Sequence, residues 1–589
     1  MDFQYFLNEV NGCITAAGPC FITKYFGHVE ASSREVPEVP PVLAAPSRFP
    51  EWFVNFASTN RDGARGSWSV TEKDPQHHEK GFMDECTQLA LRHDDAESKT
   101  AGSDDVHAIG LVCAEDASYR DGFITLCASA QAVFYQQPTR PFLHAVYIRG
   151  ALVELLVIDR SGVSCSEVMD VEKEAGQFLS LFLQYERMTN QALGMGCVFS
   201  TDDEGQYIVL DEGSKLYIDS KPVMTRRMLV GPSTVVYRAR RAGSQEWSHA
   251  VKIKWPWVRD RPEKELLEVA MEKKAWGAAH LELYRELETT AALRAGLCPD
   301  KQRRFSDTAA TDTAATSQES NETCTESDGP SGIMQFTEEE TRRSFQDRVL
   351  ICMVTSPVGR ALYTFQSGLE LLEALRDALK CHRSLFVDAR LLHSDISHGN
   401  IIILDDDPGV PRRPRGMLID LEGAASRDPA PARKPGYLFG TRPYVAIGYI
   451  NDEAKTYRHD LESFLYLLLR MVVADREMEL PKDSRLRAWE EGRWFELAER
   501  KSRDMHPDNF GRIVDEIPPA FASVKSLAIR LRALVFPLRD GTIWTGTEDS
   551  PEAIDGLYDG MISAFEDAIA SEKSCQHDGQ VSGMVLKED

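Results

Sequence analysis

Hydrophobic residues follow two textures along this chain. Between Val106 and Gly196 they fall in short unbroken runs, Ile109–Cys113, Phe142–Tyr147 and Leu152–Ile158, the last closed by Asp159-Arg160-Ser161-Gly162. Apolar runs of this length bounded by turn formers predict strands. From Glu172 to Asn190 the spacing turns helical, with Phe178, Leu181, Phe182 and Tyr185 on one face. Together these predict an α+β module with no catalytic constellation of its own. Helical spacing returns over Arg261–Ala270, with Pro262 in the first turn. It returns again from Ser367 to Ala389, where Ser367-Gly-Leu-Glu370 makes a capping box and Leu372, Leu375, Leu379 and Phe386 form one stripe. A further helix opens at His459-Asp460-Leu461-Glu462-Ser463, and its run Phe464–Leu469 is apolar all round.

Elsewhere polar residues dominate. The first hundred residues carry a Pro-rich passage (Glu35–Pro41), an aromatic cluster (Phe49–Phe56) and a polar stretch from Thr71 to Asp105. The pair His77-His78 with Glu79 has no further ligands at a metal-binding spacing, so it reads as solvated loop. Lys301–Glu340 and Ser571–Asp589 hold too few apolar groups to offset the entropy of ordering, which predicts mobile segments. The organisation expected is therefore a partly loop-like extension (1–105), an α+β module (106–210), a larger domain (211–570) with an acidic Ser/Thr-rich insert (301–340), and a disordered tail (571–589).

Composition narrows the function. Asp and Glu outnumber Lys and Arg 92 to 67, a formal charge of −25. That argues against nucleic-acid partners and against anionic membranes, both of which select positive surfaces. No apolar run approaches the roughly 20 residues of a membrane span, and the N-terminus lacks the basic and apolar regions of a secretory signal. The 12 cysteines include no C-x-x-C pair, which disfavours structural zinc and a disulfide framework. Reduced thiols imply an intracellular address, with cytoplasm and nucleus both open.

The candidate chemistry lies between residues 229 and 470. Leu391-Leu-His393-Ser-Asp395-Ile-Ser-His-Gly-Asn400 precedes the apolar run Ile401–Leu404, and Ile419-Asp420-Leu-Glu422 follows 20 residues after Asn400. Phosphoryl transfer needs this spacing: one carboxylate near the acceptor hydroxyl (Asp395), and an amide and second carboxylate (Asn400, Asp420) reaching Mg²⁺. Upstream, Met228–Ala239 suggests a phosphate-covering hairpin, matching the nucleotide-loop pattern at Gly231 and Val236, with Leu229 and Thr234 at the flanking glycine positions. Ala250-Val251-Lys252 follows at the distance where a strand lysine would point to the phosphates. Glu263, with Leu266, Leu267 and Ala270 on its stripe, is the first choice of partner for Lys252; Glu265 is the second.

Together these residues resemble a protein kinase, and more narrowly the fungal-specific protein kinase family. The match rests on Asp395-Ile-Ser397 and Gly399-Asn400, on Trp255 three residues after Lys252, on Gly440-Thr441 at the end of an activation segment, and on Asp460 as the buried aspartate behind the catalytic loop. Arg140-Pro-Phe-Leu-His144 and Asp159-Arg-Ser-Gly162 are similar to that family's pre-kinase segment. The resemblance implies a bilobal α+β kinase fold, with a β-rich N-lobe and an α-rich C-lobe, and ATP with Mg²⁺ as cofactors. It implies transfer of the γ-phosphoryl group to Ser or Thr hydroxyls of a protein substrate that the sequence does not name; neither does it set an oligomeric state.

Several positions depart from kinase patterns. Ser394 replaces the arginine that pairs with a phosphorylated loop, so phosphorylation at a site such as Thr441 should activate little through that contact. Ser397 stands where a lysine usually sits, Leu421-Glu422 replace Phe-Gly, and Gly448 stands where an ion-paired glutamate is usual, loosening the tie of the activation segment. Two alternatives follow: a small-molecule kinase of the aminoglycoside or choline type, and a pseudokinase scaffold without turnover.

Overall fold

The computed structural model describes residues 3–27, 65–70, 86–93, 106–196, 198–298, 301–303, 345–405, 413–427, 438–477 and 479–585. The Pro-rich, aromatic and His77-His78 passages, and the insert beyond residue 303, lie outside these residues. The chain forms two compact units, the first built mainly from residues 1–260 and 283–354 and the second from 261–282 and 355–589.

The first unit contains two sheets. Among the described residues one has nine strands, in the order Lys301–Arg303, Ile14–Ala16, Gly162–Cys165, Leu152–Asp159, Phe142–Arg149, Val106–Cys113, Cys86–His93 and Gly66–Val70, with Met169–Asp170 pairing Leu152–Asp159. The predicted strands and the helix Ala175–Arg187 are found. The apolar runs are explained by burial on both faces. Ile109, Leu111 and Cys113 pack with the helices Phe3–Val10 and Tyr119–Gln136, whereas Ala108 and Val112 pack with Cys20–Phe26 and Ala175–Arg187.

Two expectations change in this sheet. Residues of the first hundred are part of it: Ile14–Ala16 runs parallel to Gly162–Cys165, and Cys86–His93 runs antiparallel to Val106–Cys113. Ile14–Ala16 has only three residues, and Cys86–His93, though eight long, carries no unbroken apolar run, so neither reads as a strand without the neighbour it pairs with. In addition, Cys86 and Cys113 face each other in the ladder with Cα atoms 4.4 Å apart and are joined as a disulfide, where reduced thiols were expected. A separation of 27 residues carries no sign of that register.

The second sheet has eight strands in the order His280–Thr289, Val349–Ser356, His249–Lys254, Thr234–Arg241, Lys215–Ile218, Gly205–Val209 and Ser200–Asp202, with Met224–Thr225 on Thr234–Arg241. Val235, Tyr237, Val251, Ile253 and Trp255 supply its core side.

The second unit is mainly helical. Gly368–Val387, N-capped by Ser367, leads to the short strand Leu391–Leu392. Ile401–Ile403 then pairs antiparallel with Gly416–Leu418. The helix Tyr457–Ala474 is buried along nearly its whole length and opens two residues before the predicted start, because Thr456 and His459 form its capping box. The last helix, Pro551–Val585, runs through most of the segment expected to be a disordered tail. Its earlier part is held by ion pairs from Arg383 to Asp555 and Asp559 and from Lys380 to Glu566, groups that lie remote in sequence.

Candidate active site

The loop after Leu392 is held from behind by buried polar groups. His393 is fully buried; its Nε2 donates to the Ile419 carbonyl (3.1 Å) and its Nδ1 accepts from the Asp395 N–H (3.3 Å). Burial pushes this imidazole below its ordinary pKa, which keeps the neutral form that can do both. The Asp460 carboxylate accepts from the Ser394 N–H and from His382 Nε2, each at 2.9 Å, and Tyr558 bonds the other ring nitrogen of His382 at 2.8 Å. Burial alone would raise the Asp460 pKa, but His382, Lys455 and the Ser394 N–H together hold it below its usual value.

Asp395 and Asn400 are brought together. The Asn400 amide nitrogen donates to the Asp395 carbonyl (2.9 Å) and to its carboxylate Oδ2 (3.1 Å). That commitment leaves the Asn400 Oδ1 as the end suited to a hard cation. The other Asp395 oxygen, Oδ1, accepts both the N–H and the hydroxyl of Thr441, each at 2.9 Å. Thr441 is therefore seated on the candidate base, and a phosphate there would oppose the Asp395 charge.

Asp420 follows the strand Gly416–Leu418 with φ 67° and ψ 74°, a left-handed conformation that aspartate adopts more readily than most residues. Its neighbours fix it: the Ile419 N–H donates to the Asn400 carbonyl (3.0 Å) and the Leu421 N–H to Glu263 Oε1 (3.1 Å). Glu263 is buried in the first turn of the helix Glu263–Glu272, whereas Glu265 is exposed and paired with Arg261 at 2.9 Å. Asn400 and Asp420 offer the oxygen donors that Mg²⁺ takes from a protein when nucleotide phosphates complete its shell. Among the described residues no group of three or more His, Cys, Asp or Glu forms a ready-made metal site.

The remaining expected residues belong to the first unit. Lys252 and Val236 are direct partners across the antiparallel ladder and share the face opposite the core residues Val251 and Val235. Gly231 lies in the tip between Arg226 and Thr234, whose N–H and carbonyl close the hairpin at 2.9 Å. Its φ of 124° requires glycine, and its N–H donates to the Arg160 carbonyl at 2.9 Å.

Sequence reasoning missed how the activation segment is tied down. Gly448 has no room for a side chain: a Cβ there would lie 2.6 Å from Glu453 Oε2 and 2.7 Å from His459 Nε2. The tie is made instead by Glu462, which accepts the Ile447 N–H at 2.7 Å and pairs with Arg458 at 2.8 Å, and by Lys501, which donates to the Val445 carbonyl at 2.6 Å. The looser segment expected from Gly448 is therefore not found. Lys455 is half-buried beside the vacated arginine position and donates to the carbonyls of Ser394 and Phe439, joining the candidate catalytic loop to the segment. Lone lysines and glutamates at these spacings give no sequence signal.

A loop carrying an aspartate and an amide, followed by a hairpin ending in a carboxylate and packed on a buried helix aspartate, is the arrangement expected of a kinase. The model of the family described as fungal protein kinase matches residues 85–472, well over half of the chain, and the chain belongs to that family. Among solved structures, that of vaccinia related kinase 3 is similar at 11% identity and a TM-score of 0.34, over 62% of this chain and 90% of its own. No curated protein matches the chain. Among the described residues no helix is long and apolar enough to cross a membrane.

Proposed function

We propose that this protein transfers the γ-phosphoryl group of Mg-ATP to serine or threonine hydroxyls of a protein substrate. The observation that carries the reading is the double commitment of Asp395, one oxygen on the Asn400 amide and the other on the Thr441 hydroxyl. A carboxylate so placed is poised to orient an acceptor hydroxyl and take its proton. Asn400 and Asp420 would hold Mg²⁺, and Lys252, with Glu263 as its partner, would position the phosphates. When bound, Mg²⁺ would neutralise charge developing on those phosphates. Neither nucleic acid nor membrane enters this reading.

The test is transfer from labelled ATP to a panel of proteins set against aminoglycosides and choline. Label on protein Ser or Thr supports the proposal. Label on the small alcohols would favour the small-molecule kinase, whose metal motif Ile419-Asp420-Leu-Glu422 also resembles. A scaffold without turnover is favoured by one specific observation, the occupied amides of the hairpin tip described next, and would label neither.

A further inference from the structure

Glycine-rich nucleotide loops hold phosphates with backbone N–H groups that the protein leaves open. The corresponding tip in this chain is occupied by the protein itself. The N–H groups of Leu229 and Val230 both donate to Glu9 Oε1, at 2.5 and 2.9 Å, and the Gly231 N–H donates to the Arg160 carbonyl. Arg160 Nη1 in turn donates to the Met228 carbonyl at 2.7 Å, and its guanidinium lies 4.1 Å from the Phe134 ring centre. Leu229 and Val230 are buried in the same core as Phe6, Leu7, Val10 and Val133. Arg227 stacks over Tyr135 at 4.1 Å.

We propose that Glu9 and Arg160 are positioning residues of the nucleotide hairpin, through which the N-terminal module fixes the tip in one conformation and withdraws its amides from phosphate binding. This rests on the kinase reading and deepens it, leaving Lys252 and the metal to hold the phosphates. It also assigns a role to Asp159-Arg-Ser-Gly162: Asp159 pairs with Arg294 at 2.6 Å and Ser161 bonds Thr290 at 2.8 Å, so the motif joins the two sheets of this unit.

The anchor has a pH signature. Burial raises the Glu9 carboxyl to about 7, against the opposing effects of the two N–H donors and Arg160; the thiols of Cys13 and Cys127 are the other titratable groups that feel its charge. Its second oxygen, Oε2, is buried and has no hydrogen-bond partner among the described residues. Because the docked pKa lies above the free value, docking is fully supported below the free pKa of about 4.5 and is lost progressively as pH rises through about 7.

Hydrogen exchange on the full chain tests this, with rates corrected for intrinsic pH dependence. The amides of Leu229, Val230 and Gly231 should be protected without nucleotide, several-fold more at pH 6 than at pH 8.5. Glu9→Gln keeps an acceptor and should remove the pH dependence. Glu9→Ala should lower protection roughly ten- to a hundredfold, the loss expected for a buried hydrogen bond to an acid. Unprotected tip amides in the wild type, or equal protection in Glu9→Ala, would overturn the proposal. So would fresh protection of these amides on adding Mg-ATP. If Mg-ATP changes exchange nowhere, including the Lys252 strand, the kinase reading fails while the anchor stands.

Discussion

The nucleotide hairpin and the catalytic loop solve the same problem, holding a polar loop still, in opposite ways. The candidate catalytic loop leaves Asp395 and Asn400 half-exposed and is supported from behind by the buried chain Tyr558–His382–Asp460–Ser394. The hairpin tip spends its own backbone donors on Glu9 and the Arg160 carbonyl, and buries Leu229 where a glycine loop would leave backbone bare. The difference teaches that lost glycines need not signal decay. A tip anchored by protein has no use for the close approach that glycine allows, except at Gly231, where the turn itself demands it.

This contrast can be broken by substitution. Leu229→Ala should cost about 2–5 kcal/mol of unfolding free energy, as expected for a buried leucine, read by urea melts; a cost under ~0.5 kcal/mol, the range of a surface site, would mean the tip is not core. On the catalytic side, Lys455→Met should slow turnover by about 10- to 100-fold, the 1.5–3 kcal/mol of hydrogen bonds from a charged group. Lys455→Arg should recover most of it, and phosphomimetic Thr441→Glu should not. Gly231→Ala should destabilise by about 1–3 kcal/mol because its φ is positive, whereas Gly511→Ala, in a helix with open space around it, should not destabilise at all.

The most gradual expected effect is a pH slope. Burial lowers the Lys501 ammonium to about 7, with Glu462 opposing and Arg442 adding to the shift. Between about 7 and the ordinary lysine value of 10.5 the unfolded chain binds the extra proton, so stability rises with pH there. Relative to Lys501→Met, the wild type should gain at most about 1.4 kcal/mol per pH unit from pH 7 to 9. A flat difference would remove Lys501 from the account of how the segment is tied.

What the sequence made legible follows from where the information lies. The strands of residues 106–159 and the helices at 263 and 368 were readable because burial is written locally, in apolar runs and in caps such as Ser367. The catalytic loop was readable because its chemistry needs particular residues at near spacing. Glu9, Lys455, Glu462 and Lys501 were not, since each acts on a backbone group that only the fold brings near; Glu9 and Leu229 stand 220 positions apart. The disulfide and the reach of the last helix were hidden for the same reason. Ser394 was recognised as a departure, but the lysine beside it could be found only in three dimensions.

The account stands on Asp395 as the group that receives the acceptor proton. Single-turnover phosphate transfer by the wild type and Asp395→Ala, at saturating Mg-ATP with a labelled protein substrate, addresses this directly. The account predicts a rate reduced by about 10²–10⁴ in the variant, as for loss of a general base, with nucleotide still bound. Equal rates in the two proteins would contradict it.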